Sequence, residues 1–181
     1  MKRVVSLSLS FCLVAFLTAM SFGETAFKLT TAAFKDGGSI PNKYVMSDIG
    51  GSNVSIPLSW SSPPEGTKSF ALTIVDPHPV ANDWVHWMVV NIPAATVSLE
   101  EGASKKKMPA GSQELSNSYG DKGYGGPHPP RGSGRHPYVV TVYALNVEKV
   151  ELDAQPSLNA FKQAIQGKVL GEAKLTGYYQ Q

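Results

Sequence analysis

Apolar residues in this chain fall into one long run and several short ones. The long run is N-terminal, Val4 to Ala19, nearly uncharged and rich in Leu, Val, Phe and Ser. The short runs lie between scattered glycines and prolines. Phe70 to Val75 is a compact β-rich run of the buried kind, Trp84 to Ile92 is a longer one ended by Pro93, and Tyr138 to Leu145 is a third. Branched and aromatic runs of this length, bounded by turn residues, read as strands. Phe27 to Thr30, Leu58 to Trp60 and Ala173 to Tyr178 are shorter candidates. No neighbouring pair carries a two-residue hairpin signal, so the connections are long. The pattern predicts a mainly β chain, an antiparallel β-sandwich of Greek-key-like arrangement. One short helix is expected near the C-terminus. Ser157 follows Pro156 as an N-cap, and Leu158, Phe161 and Ile165 then share a face. Gly167 and Gly171 are its stops, and a helix this short depends on docking that face against a sheet.

The N-terminal run changes the picture of where the protein works. Lys2 and Arg3 precede it, and Ser21 and Gly23 are small residues at signal-peptidase spacing. Residues 1–23 therefore read as a secretory signal peptide cut before Glu24, too short and wrongly flanked for a membrane anchor. Cys12 lies inside the run behind Phe11, which does not fit a lipid-attachment signal. The expected product is a single domain, 24–181, exported to the periplasm or the medium, with no transmembrane anchor left after cleavage. It has 158 residues (181 less 23), enough for a real core. It contains no cysteine, because Cys12 is the only one, so thiol chemistry and thiolate metal sites are excluded. Without Lys2 and Arg3 the cations number 14 against 14 acids. That balance does not suit a nucleic-acid binder, and the one basic run, Lys105-Lys106-Lys107, reads as a solvated loop.

Glu100 to Gly134 is long, polar and dense in Gly, Pro, Ser and Lys. Its second half holds Tyr124-Gly125-Gly126-Pro127-His128-Pro129-Pro130, a stiff segment expected to be ordered, behind a mobile first half. All four histidines, His78, His86, His128 and His136, lie in or beside three unusual segments. Strand alternation puts Trp84, His86, Met88 and Val90 on one face and Val85, Trp87 and Val89 on the other. Both faces are apolar, so His86 needs a buried partner, and Asp76 at the end of the preceding strand is the candidate. His136 and Tyr138 point the same way. Spacing alone favours the plainer reading, in which His86 is a satisfied core histidine and His136 a strand-end residue.

The same segments carry a resemblance. Asp76-Pro77-His78-Pro79-Val80, Trp84-Val85-His86-Trp87, Asn117-Ser118-Tyr119-Gly120, Tyr124 to Pro130 and Gly134-Arg135-His136-Pro137-Tyr138 stand in the order of the phosphatidylethanolamine-binding protein family. The chain resembles its bacterial Raf-kinase-inhibitor-like branch, the YbhB/YbcL type, from about Phe34 to Tyr178. Each piece is weak alone, and order and spacing together are specific. The resemblance implies an antiparallel sandwich with a short helix, and a small pocket for an anion such as phosphate or a phospholipid headgroup. It places Asp76, His86, Pro129, Pro130, His136 and Tyr138 in that pocket, with His78 and His128 as further candidates. His86 and His136 would offer N–H donors, Asp76 would orient a histidine, and Tyr138 would offer a hydroxyl. Two departures stand out. His78 replaces the family's second Asp and either restores positive charge or faces solvent, and Pro137 replaces an Arg.

The expected function is a non-catalytic binding protein without a cofactor, whose partner is a small anionic ligand and, as a regulator or inhibitor, an envelope protein. A homodimer through an exposed sheet face is a reasonable further partner. No Gly-x-Ser-x-Gly elbow, phosphate loop or dinucleotide fingerprint is present. The alternatives are a hydrolase using Asp76 with His86 or His136 as base, and a metal site built from His78, His86, His136 and Asp76.

Overall fold

A computed structural model describes residues 26–181; the predicted signal peptide and Glu24 lie outside the described residues. The elements in order are β1 (Lys28–Thr30), β2 (Leu58–Ser61), β3 (Ser69–Asp76), β4 (Trp84–Pro93), β5 (Ser98–Leu99), β6 (Gln113–Glu114), β7 (His136–Leu145), α1 (Leu158–Ile165) and β8 (Val169–Tyr179). They build two antiparallel sheets, a small one ordered β1-β2-β5 and a large one ordered β6-β4-β3-β7-β8. The chain is the β-sandwich that its apolar runs predict.

The unbroken apolar character of β3 and β4 follows from burial on both faces of the large sheet. One face meets the small sheet through Leu29, Leu58 and Trp60 on one side and Phe70, Leu72, Trp87 and Val89 on the other. The opposite face carries Ala71, Val85, Met88 and Val90 against Leu115, Val150, Phe161 and Ile165. Helix α1 is capped as expected, with Ser157 Oγ accepting from Ala160 N at 3.1 Å. Phe161 and Ile165 are its buried residues, and Gly167 follows it at φ +73°. This docking, rather than eight residues of propensity, stabilises the helix.

Strict alternation fails in β4. Ile74 pairs with Trp87 while Val75 pairs with Val85, so His86 is an extra residue in the ladder. A bulge of this kind shifts the side-chain phase by one. Val85 therefore joins Met88 and Val90 on the helix face, and Trp87 and Val89 face the small sheet. The grouping of Val85 with Trp87, and of His86 with Met88, is thus corrected. A second irregularity sits at the other end of β4, where Phe70 pairs with Ile92 and Leu72 with Val89. There Asn91 adopts φ +61° and exchanges two hydrogen bonds with the Val150 backbone, at 2.7 and 3.2 Å.

The long connection from Glu100 to Gly134 is held along its whole length. In its first half, Glu114 accepts from Ser104 Oγ at 2.5 Å, from Lys105 N at 2.8 Å and from Trp87 Nε1 at 2.8 Å. A buried carboxylate with three donors anchors the segment expected to be loose. The second half runs beneath the start of β4, where Gly125 N donates to His86 O at 2.9 Å.

Candidate functional site

At one end of the large sheet, β3 ends while β4 and β7 begin. Their facing side chains and the loop carrying Pro129 and Pro130 enclose a recess of about 220 Å³. Asp76, His86, His128, Pro129, Pro130, His136 and Tyr138 all line it. Trp84, Val80, Ala81 and Tyr119 complete the wall, and among the described residues no lysine or arginine does. Val80 is 59% exposed and Trp84 37% exposed, which makes the mouth apolar.

The polar floor is a set of fixed hydrogen bonds. Asp76 Oδ1 accepts from the His78 backbone N–H at 2.9 Å, an Asx turn that starts the connection out of β3. Asp76 Oδ2 lies 2.6 Å from His136 Nδ1, and both side chains are essentially inaccessible. A carboxylate only accepts, so Nδ1 carries a proton and Asp76 fixes the tautomer and ring orientation. His136 Nε2 lies 2.9 Å from Ser133 Oγ, whose single proton goes either to this nitrogen or to Pro130 O at 2.6 Å. Each ring nitrogen of His136 thus has a polar neighbour within hydrogen-bond distance.

His86 does not take Asp76 as its partner. Its Nδ1 lies 2.8 Å from Gly125 O and 3.1 Å from Gly126 O. Two carbonyls can only accept, so Nδ1 carries the ring proton and Nε2 is a bare acceptor in the neutral ring. Burial pushes His86 down to about 4, with the Gly125 carbonyl and Asp76 opposing the shift. The rings of Tyr138 and Tyr119 hold it edge-on, at centroid distances of 4.9 and 5.7 Å. The two glycines are required by space. A Cβ on Gly125 would come within 2.7 Å of the Tyr119 ring, and one on Gly126 within 2.2 Å of Tyr44 O.

Tyr138 differs from the histidines. Its hydroxyl is buried and has no hydrogen-bond partner. Burial, with Asp76 nearby, raises its pKa, so the group is an O–H donor at any ordinary pH. The imidazole N–H groups that the resemblance offered as donors face protein acceptors, whereas the buried Tyr138 O–H has no partner among the described residues.

His78 is half-buried and does not line the recess. Its ring stacks on His136 at 3.8 Å and 23°, and its Nδ1 accepts from Val80 N at 3.3 Å, so it backs the pocket wall. Pro137 alternates with His136 and Tyr138 and so faces away from the recess. Arg135 does not replace the missing cation, since its guanidinium lies 3.7 Å over the Tyr178 ring and donates to Gly37 O. His128 Nδ1 is 3.4 Å from Asp48 Oδ2 at the rim. The proposed metal set does not converge, for among the described residues no three His, Cys, Asp or Glu side chains could hold an ion. Sequence reading missed Ser133, Tyr119 and the Val80-Ala81 wall. Tyr119 and Val80 lay inside segments that carried the resemblance without being assigned to the site, and Ser133 had a local signal, a serine between two glycines three residues before His136.

Fold and recess together define a small-pocket β-sandwich. A sequence model of the family described as phosphatidylethanolamine-binding protein matches residues 30–180. YbcL of Escherichia coli is 37% identical over 173 residues, covering 92% of this chain and 94% of YbcL. Its crystal structure, described as a new member of the mammalian PEBP family, superposes with a TM-score of 0.81 over 86% of this chain and 98% of that one. LppC of Mycobacterium tuberculosis, which carries a provisional lipoprotein name, is 37% identical over 154 residues, 84% of this chain and 71% of LppC. The chain belongs to the phosphatidylethanolamine-binding protein family.

Proposed function

We propose that the protein is a non-catalytic binder of a small anionic group of the phosphate class, taken up in the recess between β3, β4 and β7. The observation that carries this reading is the Tyr138 hydroxyl, a buried donor without a partner at the cavity wall. Buried polar groups are nearly always paired, and a ligand oxygen is the partner this one lacks. Trp60 Nε1 is also unpaired, but Trp60 does not line the recess. The test is a thermal-shift and calorimetric titration with inorganic phosphate and phosphoethanolamine. A ligand that binds only the folded state adds about 2.7 kcal/mol at a hundred times its Kd. Tyr138→Phe should weaken binding about tenfold, the effect of one charge-assisted hydrogen bond. Absence of any shift with either compound would remove the reading.

A second reading, a hydrolase, has one observation in its favour. Ser133, His136 and Asp76 are linked in order at 2.9 and 2.6 Å, the connectivity of a nucleophile, base and orienting acid. The Ser133 hydroxyl has one proton, and the Pro130 carbonyl at 2.6 Å competes for it. That arrangement suits a turn better than a poised nucleophile. Exposure to a fluorophosphonate followed by mass spectrometry separates the two, since a covalent adduct at Ser133 would favour the hydrolase.

The leader-like pattern of residues 1–23 and the provisional lipoprotein name of LppC support an exported protein. N-terminal sequencing of protein from the envelope fraction should begin at Glu24. Retention of Met1 in a cytosolic fraction would overturn export.

A further inference from the structure

We propose a second binding site, separate from the recess and on the other face of the large sheet, that takes a free aliphatic α-amino acid in its zwitterionic form. The site is a cavity of about 180 Å³ bounded by β3, β7, helix α1 and the loop that leaves β3. Thr73 and Thr141 supply its sheet side and stand directly opposite one another in the β3–β7 ladder. Along β7 the odd positions, Thr141 among them, face away from His136 and Tyr138 and toward the helix layer. Each threonine is only 3% exposed. Threonines paired across strands can bond to each other, yet neither hydroxyl here has a hydrogen-bond partner among the described residues. Buried polar side chains are nearly always paired. Two adjacent hydroxyls with spare donors and acceptors, both lining a cavity, therefore mark a place for a polar ligand.

The rest of the lining narrows the class. Lys162 of α1 brings one cation and Asp83, just before β4, brings one carboxylate. Neither is ion-paired with the other or with any other described residue. Asp83 sits at φ +57° directly behind Asn82 at φ +52°. That left-handed pair is held by a turn in which Ala81 N and Asn82 N both donate to His78 O, at 2.8 and 3.0 Å. Lys162 stands one helical turn beyond Leu158, which with Val75 and Val139 gives the cavity an apolar wall. A simple anion or cation would meet a like charge as well as an opposite one. A hydrocarbon would leave the two hydroxyls buried and unpaired. A dipolar molecule with a carboxylate for Lys162, an ammonium for Asp83 and a short apolar body satisfies every group. The volume lies below the range of about 300–1,000 Å³ that drug-sized ligands occupy, which fits a free amino acid rather than a peptide. The loop after β3 divides this site from the recess, since Pro77 and Asp83 line the one and Val80 and Ala81 the other.

The test is an amide NMR titration of the purified, nitrogen-15-labelled protein with three probes: L-leucine, leucinamide, which lacks the carboxylate, and 4-methylpentanoate, which lacks the ammonium. Leucine should shift the amides of Thr73, Thr141 and Lys162 saturably and leave those of His86 and Gly125 in place. Each truncated probe should bind at least about tenfold more weakly, the effect of one hydrogen bond to a charged group. Lys162→Ala should bring leucine down to the level of leucinamide. Asp83→Asn, which keeps a residue type that tolerates the left-handed region, should bring it down to the level of 4-methylpentanoate. Thr73→Val should weaken leucine binding about tenfold while leaving the thermal midpoint of the free protein unchanged or higher, a combination that a purely structural threonine would not give. Equal binding of the three probes would overturn the inference, as would saturable shifts confined to the recess. So would failure of leucine to move any of these amides at concentrations up to about 50 mM, well beyond a millimolar Kd. Phosphate titrated in the same way reports on the recess, so the two sites stand or fall separately.

Discussion

Strand β4 carries an extra residue at each end, and the two ends have opposite outcomes. At the far end Asn91 turns into the left-handed region and closes its amide on the Val150 N–H and C=O, so both the Asn91 amide groups and the Val150 backbone groups have partners. At the near end the bulge re-aims His86 toward the recess, its Nδ1 is satisfied, and beside it stands the unpaired hydroxyl of Tyr138. The local device is the same, an added residue that breaks the pleat. Complete pairing makes the Asn91 bulge a structural joint. Incomplete pairing makes the His86 bulge a place with capacity left for a ligand. On the proposed function, hydrogen-bond accounting, rather than burial or residue type, is what would separate a structural asparagine from a site with binding capacity.

The largest effect should come from breaking the closed end. Asn91→Ala leaves the Val150 N–H and C=O buried without partners and puts alanine at φ +61°. Two orphaned backbone groups at about 1–3 kcal/mol each, plus about 1 kcal/mol for the left-handed residue, give a loss of about 4 kcal/mol in urea unfolding. Anion binding by the folded fraction should not change. A parallel loss of affinity would mean the two ends are coupled and the contrast fails. Next is the seat of His86. Gly126→Ala forces a Cβ to within 2.2 Å of Tyr44 O and displaces a carbonyl that fixes the His86 tautomer. About 3 kcal/mol of stability should go, and here anion binding should go with it.

Much of the contrast was legible from residue types, and its decisive part was not. The apolar runs at Phe70, Trp84 and Tyr138 identified three central strands because both faces of the large sheet are covered, and Ser157 marked the helix start through a local capping bond. Asp76, His86, Pro129, Pro130, His136 and Tyr138 were gathered by motif order, and they do line one cavity. The choice of partner was not legible. Asp76 sits across from both histidines, and which one it holds depends on the bulge at His86, a one-residue shift with no turn residue to announce it. Nor could alternation reveal that Glu114 pins the Ser104-Lys105 turn, since that contact joins a short edge strand to the loop before it.

A third test uses acid. The folded state holds His86 at about 4 against 6.5 in an unfolded chain, so between those values only the unfolded chain binds the proton. Stability from this group is complete above about pH 6.5 and declines as the pH falls toward 4. At pH 5 the loss relative to pH 7 should be about 2 kcal/mol, at about 1.4 kcal/mol per pKa unit across the part of the window crossed. The Asn91 bulge contains no titrating group, so Asn91→Ala protein should lose the same increment. An unfolding midpoint that does not move between pH 7 and pH 5 would mean that His86 is not held neutral by burial.

The smallest effect is the sharpest discriminator. Tyr138→Phe removes a buried hydroxyl that has no partner in the free protein, and a phenylalanine ring keeps the contact with His86. Removing an orphaned polar group relieves its desolvation cost, so the unliganded variant should be as stable as the parent or up to about 1 kcal/mol more stable. That outcome, joined to weaker phosphate binding, would identify a group kept for the ligand at the expense of the free fold. Destabilisation by more than about 1 kcal/mol would instead reveal a hydrogen bond already made by Tyr138. The near end of β4 would then be as closed as the far one, and the difference between the two bulges would disappear.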